Sequence, residues 1–364
     1  MTGRMRAVVL HKKEKGAIAV VEDVPIPIPG QGEVLIRVLA AGICGSDRHL
    51  YNWDPSARDW VNDTPRIIGH EFCGEVAEVG PGVPSPSAIG TYVSAEMHET
   101  CGQCFHCRTG QGNICEKTII YGYQKDGCFA EYVKVPAANV IPLPRDAIPH
   151  KIGAFLDALG NAVHSTQKVN LVGRSILVLG YGPIGAMTAA VAHFVGASGI
   201  FIAEVGSFQL EKAREWARSI SEQRGGIGVK VLDVSKGGEE AIEETIRDTS
   251  GGVDVVFEQS GSNRALNDGL RMVRNGGHVV LLGIPGTKDM TIEDYGKNVI
   301  FKGITLHGVI GRRMFKTWYH MLALLKSGLS VEHVVTQEYP LSDFDKGMAA
   351  FNGGESLKVV LFNN

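Results

Sequence analysis

The 364-residue chain has no surplus of positive charge. Its 36 Lys and Arg face 39 Asp and Glu, a net charge of −3, whereas a nucleic-acid-binding surface shows a basic excess. No apolar signal-peptide core stands at the start, where MTGRMRAVVLHKKEK is broken by charge, so a cytoplasmic location is expected. One stretch, Ser175 to Ala203, has no Asp, Glu, Lys or Arg and is long enough to cross a bilayer. Gly180, Gly182, Pro183 and Gly185 interrupt it early. It therefore reads as strand, turn, helix and strand, with no membrane partner. An even cysteine count is also missing. Seven cysteines without a sign of secretion exclude a disulfide framework. What is abundant is glycine, 46 of 364 residues against an average of about 7%. With 44% hydrophobic residues, that points to tight turns in a folded protein of about two domains.

Four of the cysteines, Cys101, Cys104, Cys107 and Cys115, form C-x2-C-x2-C-x7-C. Four thiolates so close in sequence suit a closed tetrahedral zinc site that tethers a lobe with little core of its own. The lobe has only Arg108 and Lys117 as basic residues, which argues against a nucleic-acid module. Cys73 and Cys128 have no partner pattern and read as small buried hydrophobes. Upstream, GICGSDRHLYNWD and PRIIGHEF supply Cys44 and His70, with Glu71 next to His70. A catalytic zinc needs three protein ligands and an open position. Cys44, His70 and one carboxylate meet that need, the carboxylate being Glu71 or Asp157. Asp157, in FLDALGNAVH, also reads as a helix N-terminal acid.

Gly180-x-Gly182-x-x-Gly185 follows the strand-like run Ser175 to Leu179 and opens an apolar helix at Pro183. Glycines there let the backbone approach a pyrophosphate held at the helix N-terminus. Glu204 ends the next strand, GIFIAE, 19 residues beyond Gly185. An acid at that place holds ribose hydroxyls and repels a 2′-phosphate, which favours NAD over NADP. Alternating strands and helices continue to ITLHGVI, giving a doubly wound parallel sheet. The N-terminal part carries short strands, RAVVL, EVLIRVLAAG, GEVAEVG and FAEYVKVP, between Gly and Pro turns, as in an irregular β-rich domain. After residue 311 the chain reads as helix, loop, helix and the strand LKVVLF.

The pieces CGSDRHLYNWD, IIGHEF, the four-cysteine lobe, DALGNAVHS, GYGPIG, FEQSGSNRALNDGL and GVIGRRMFKTWYHMLALLKSGL span nearly the whole chain. On them the sequence resembles the zinc-dependent medium-chain alcohol dehydrogenases, and within them the branch that oxidises L-threonine. The resemblance implies a GroES-like catalytic domain, residues 1–160 and 311–364, into which a Rossmann domain, 161–310, is inserted. It implies NAD, one catalytic and one structural zinc per subunit, a secondary-alcohol or amino-acid substrate and a homotetramer. By the same resemblance Cys44, His70 and Glu71 hold the catalytic zinc, and Asp157 completes the site or assists its proton relay. Ser46 and His49 fall on the hydroxyl and imidazole of that relay. Cys101, Cys104, Cys107 and Cys115 fall on the structural zinc. Ile184, Glu204, Leu282, Gly283, Ile284, Val309 and Ile310 fall on cofactor contacts, and Glu96 and His98 lie near the substrate. Glu96 is the expected acceptor for the ammonium of threonine.

The chain departs from this branch in places. Gln209 stands where the branch commonly carries Arg along the adenosine, and YGYQKDG replaces an arginine-bearing GVNRPG. The second departure keeps a polyol, cyclitol or 2,3-diol substrate open. Thr91 replaces a common aspartate, without functional account.

Overall fold

A computed structural model describes residues 3–83, 88–222 and 228–363. The chain forms two compact units, the first Met1–Ala158, Arg312–Gly328 and Val335–Asn364, the second Leu159–Gly311 and Leu329–Val334. The expected bounds are 1–160 with 311–364 and 161–310, whereas these units place 159–160, 311 and 329–334 in the second.

In the first unit Arg4–Leu10 pairs antiparallel with Ile18–Pro25 and with Arg66–Ile67. A larger sheet runs in the order Val140–Pro142, Tyr92–Ala95, Phe72–Val79, Glu33–Gly42, Lys358–Phe362 and Val335–Pro340, with Tyr132–Pro136 also on Glu33–Gly42. Its inward faces build a core of Val34, Ile36, Val38, Phe72, Val133 and Leu361. The strand Val335–Pro340 (VTQEYP) was expected as loop. Its residues are mostly half-buried, so it lacks a strong apolar signal, and its place comes from parallel pairing with Lys358–Phe362.

The second unit is a six-stranded parallel sheet in the order Gly228–Asp233, Gly199–Glu204, Ser175–Leu179, Val253–Glu258, Val273–Leu281, Thr305–Gly308. Numbered along the chain, that is 3-2-1-4-5-6, the doubly wound order whose switch point lies beside the first strand. The central strands are buried along almost their whole length, as unbroken apolar runs require. The edge strand Thr305–Gly308 is mostly exposed.

Candidate catalytic and cofactor sites

The first cluster begins at a helix start. Cys44 is the N-cap of the helix Gly45–Asn52, and its backbone N–H donates to Asp47 Oδ2 at 2.8 Å. This is a capping box built on cysteine and aspartate, and it holds the Cys44 thiol at the mouth of the helix. Ser46 lies on the first turn, and its Oγ is 3.4 Å from His70 Nε2. The other ring nitrogen of His70, Nδ1, faces Asp47 Oδ1 at 3.6 Å. That division suits a metal-ligating histidine, with Nε2 for the ion and a carboxylate fixing the ring from behind.

His70 and Glu71 follow Gly69, whose φ is +92° and whose Cβ would stand 2.4 Å from the Phe129 ring. Only glycine turns the chain there. Glu71 is buried, with Oε2 2.6 Å from the buried Lys358 Nζ. Lys358 also donates to the Ile43 carbonyl at 2.7 Å. A Cβ on Gly42 would meet Glu71 Oε2 at 2.8 Å, so this glycine makes room for the ion pair.

Ligand atoms of Cys44, His70 and Glu71 all lie within 4.8 Å of one another. Glu71 Oε1 is buried without a hydrogen-bond donor, a costly state for a carboxylate oxygen unless a cation serves it. Burial pushes Asp47 up to about 6, against the pull of His70. Burial disfavours a charged His70, yet Asp47 and Cys44 outweigh it and raise the ring to about 10. Thiolate, imidazole and carboxylate are the ligand types of a catalytic zinc, and these residues fit that ion.

A second group combines Glu96, His98 and Asp157, and a guanidinium stands among them. Arg312 is buried, with Nε 3.0 Å from Glu96 Oε2, Nη2 2.6 Å from Glu96 Oε1 and Nη1 2.7 Å from Asp157 Oδ2. His98 Nδ1 is 2.7 Å from Glu96 Oε1, and Trp318 Nε1 donates to Oε2 at 2.8 Å. Burial opposes the Glu96 charge, but Arg312 and His98 hold the carboxyl well below the usual range. Two expectations change here. Glu96 was expected to accept a substrate ammonium, but both its oxygens are buried and committed to protein donors. Asp157 is on the first turn of the helix Leu156–Thr166, as its capping reading required, but it groups with Glu96 and His98 instead of the Cys44 cluster. Of the two carboxylates left open by the sequence, Glu71 is the one beside Cys44 and His70.

His49 closes the last turn of the Cys44 helix. Its Nδ1 bonds Asp54 Oδ2 at 2.8 Å and its side chain is 25% exposed, so it touches both protein and solvent.

In the cysteine lobe, Sγ atoms are separated by 4.0 Å (Cys101–Cys107), 3.5 Å (Cys104–Cys107), 3.9 Å (Cys104–Cys115) and 3.6 Å (Cys101–Cys115). Zinc–sulfur bonds of about 2.3 Å at tetrahedral angles put sulfurs about 3.8 Å apart. The N–H groups of Cys101 and Lys117 both point at Cys115 Sγ at 3.4 Å. They bring its thiol down to about 6, the thiolate form a metal needs. The four residues fit a closed zinc site.

In the second unit the helix Pro183–Phe194 starts at Gly182 without a side-chain cap, leaving N–H groups for an anion. A Cβ on Gly185 would stand 1.9 Å from the Gly180 carbonyl, while one on Gly182 would meet nothing within 4 Å. The third glycine is for packing, and the second leaves open space for a ligand. Glu204 ends its strand with Oε2 accepting from Tyr181 N–H at 2.5 Å and Oε1 from the N–H groups of Val205 and Gly206. Its carboxylate is thereby fixed at the carboxyl end of the sheet, where a doubly wound fold binds its ligand. A cavity of ≈ 90 Å³ lined by Gly180, Glu204, Val205 and Arg264 opens there. Leu282, Gly283 and Val309 follow the ends of their strands: Leu282 and Gly283 N–H donate to the Glu258 carbonyl, and Val309 N–H to that of Leu281. Ile284 and Ile310 are exposed. Ile184 lies on the first turn of the helix, and Gln209 on the helix Ser207–Ser221, where its Oε1 would stand 2.2 Å from a Cβ on Gly206.

Sequence reasoning missed Asp47, Lys358, Arg312 and Trp318. Asp47 had a legible signal, the capping-box spacing after Cys44. The others come from distant segments and had none.

The alcohol dehydrogenase GroES-like domain family matches residues 30–145, and the zinc-binding dehydrogenase family matches 183–327. The chain is similar to an L-threonine 3-dehydrogenase of Legionella pneumophila, 40% identical over 360 residues, covering 98% of this chain and 99% of that protein. It is 41% identical over 361 residues to the enzyme of the same name from Escherichia coli, covering 98% and 99%. Among solved structures it resembles 2R,3R-butanediol dehydrogenase of Bacillus subtilis, with a TM-score of 0.85, 29% identity and coverage of 99% and 100%. A zinc-binding dehydrogenase of Sinorhizobium meliloti bound to NADP also has a TM-score of 0.85, with 27% identity and coverage of 98% and 99%.

Proposed function

We propose, for a chain that belongs to the zinc-dependent medium-chain alcohol dehydrogenases, that it oxidises the secondary hydroxyl of L-threonine to 2-amino-3-oxobutanoate with NAD. The observation that carries the reaction class is the convergence of Cys44, His70 and Glu71 within 4.8 Å, beside the Ser46 hydroxyl. When bound, zinc at these three residues supplies Lewis acidity toward the substrate hydroxyl and NAD supplies the hydride acceptor. Asp47 orients His70, and Lys358 orients Glu71. Ser46 accepts the hydroxyl hydrogen bond and passes a proton without holding charge, because a serine both donates and accepts. His49 suits the exit end of the relay, since its ring bonds Asp54 and its side chain is 25% exposed to solvent. The open N–H groups at Gly182 receive the diphosphate, and Glu204 disfavours a 2′-phosphate, so NAD is preferred to NADP.

The substrate rests on the relatives named L-threonine 3-dehydrogenase. A 2,3-diol or polyol substrate is the second reading, favoured by Tyr121–Gly127 and by likeness to a butanediol dehydrogenase. Steady-state rates with L-threonine, sorbitol, inositol and 2,3-butanediol decide between them: threonine should show the highest kcat/KM. A homotetramer belongs to the same proposal, supported by the exposed edge strand Thr305–Gly308. So does a cytoplasmic location, supported by a thiolate metal lobe, which a reducing compartment preserves.

A further inference from the structure

A cavity of ≈ 550 Å³ opens within the first unit, and none of Cys44, His70 and Glu71 lines it. Its volume falls in the range of small-molecule sites, about 300–1,000 Å³. Part of its lining is apolar: Met5, Val24, Pro27 and Ile67. Met5 and Ile67 belong to a small buried core, and Val24 packs against it. That wall is therefore set by the pairing of the strands Arg4–Leu10, Ile18–Pro25 and Arg66–Ile67. The rest of the lining carries charge, chiefly from Glu33, Lys125 and Lys134.

The protein uses these charges only in part. Arg66 and Asp126 also line the cavity, but they bond each other at 3.1 Å and offset one another. Lys125 Nζ gives two N–H groups to Glu99 at 2.7 Å and keeps a third. Lys134 Nζ gives one to Glu33 Oε2 at 3.0 Å and keeps two. Glu33 Oε2 also accepts from Gly30 N–H at 2.8 Å, while its Oε1 has no donor among the described residues. Burial opposes the Glu33 charge, but Gly30 N–H, Lys134 and Lys125 hold the carboxyl below its usual range. The side chains of Lys125, Lys134 and Glu33 are 41%, 42% and 23% exposed, so a ligand reaches them.

We propose that this cavity binds a free α-amino acid with a long apolar side chain, its carboxylate on Lys125 and Lys134, its ammonium on Glu33 Oε1 and its side chain against Met5, Val24, Pro27 and Ile67. The unspent capacity is three N–H donors on two ammonium groups, with one carboxylate oxygen beside them. A plain carboxylate would be repelled by Glu33, and a plain amine by the two lysines. A zwitterion satisfies both signs through charge-assisted hydrogen bonds, the strong kind. The inference is independent of which alcohol is oxidised at the Cys44 cluster.

The test is calorimetry on the full-length, zinc-loaded protein with three probes. L-Methionine carries both charges and a flexible side chain that adapts to an irregular apolar wall. N-Acetyl-L-methionine lacks the ammonium, and L-methioninol lacks the carboxylate. Each of these two should bind ~10- to 100-fold more weakly than L-methionine, the worth of one hydrogen bond to a charged group. Glu33→Gln should weaken L-methionine by a similar factor and leave N-acetyl-L-methionine nearly unchanged. Lys134→Met should weaken L-methionine and leave L-methioninol nearly unchanged. Circular dichroism and zinc per chain check the fold of each variant, and Lys134→Gln gives the same comparison if Lys134→Met does not fold. No heat with millimolar L-methionine, or equal affinity for the three probes, overturns the proposal. So does L-methionine binding that both variants leave unaltered, which would place it elsewhere on the protein.

Discussion

Lys358 Nζ lies 2.6 Å from Glu71 Oε2, with both side chains buried. The last strand of the chain thus supplies the counter-charge for an acid of the metal-ligand cluster. Removing one member of a buried pair leaves the other charge uncompensated, at about 3–5 kcal/mol. Lys358→Met should therefore lower stability by that order in chelator-treated protein and by less in zinc-replete protein, where the metal serves Glu71. Urea midpoints of the two forms check this; equal losses would contradict it.

Arg312 is the single cation between Glu96 and Asp157 among the ion pairs of the described residues. Arg312→Met should cost about 3–5 kcal/mol. Arg312→Lys should recover only part, because an ammonium cannot reproduce the planar fork that bonds Glu96 twice. The near-ultraviolet signal of Trp318, which shares Glu96, should change in both, and a wild-type unfolding curve for either variant would refute the pairing.

Ser46→Ala removes the proposed relay hydroxyl and leaves Cys44, His70 and Glu71 in place, although Ser46 Oγ lies 3.4 Å from His70 Nε2. kcat should fall by about 10²-fold or more, the range for loss of a positioned proton-transfer group, at unchanged zinc content. An unaltered kcat removes Ser46 from the relay.

Cys104→Ser should reduce bound zinc from two ions to one per chain and lower the thermal midpoint, because the lobe has almost no buried core besides Cys115. Metal analysis and a melting curve test it. A stable variant that keeps two zinc ions would argue against a structural site.

His333 stacks on Trp216 at 5.7 Å, and burial lowers its pKa from 6.5 to about 4. Between those values the unfolded chain binds a proton that the folded one refuses, so stability falls as pH drops from 6.5 toward 4. The full shift corresponds to about 3 kcal/mol. His333→Phe should lose less stability between pH 7 and 5 than the wild type, with Trp216 fluorescence as the probe. Parallel pH curves for the two proteins would exclude the effect.

Much of the site was legible because its signals are local. The spacing of Cys101, Cys104, Cys107 and Cys115 is itself the geometry of a tethered loop. Gly180, Gly182 and Gly185 mark a turn whose close contacts lie within a few residues. Cys44 and His70 carried less information, since a lone cysteine or histidine reads equally as packing.

Local pattern thus determined the parallel sheet, the phosphate turn, the cysteine lobe and the residue types available for zinc. Tertiary structure alone decided that Glu71 groups with Cys44 and His70 within 4.8 Å and that Glu96 pairs with Arg312. The physical reason is sequence separation: Arg312 meets Glu96 across 216 positions and Lys358 meets Ile43 across 315. Periodicity and motif spacing describe only the neighbours along the chain, whereas charges in a buried site are paired by the fold.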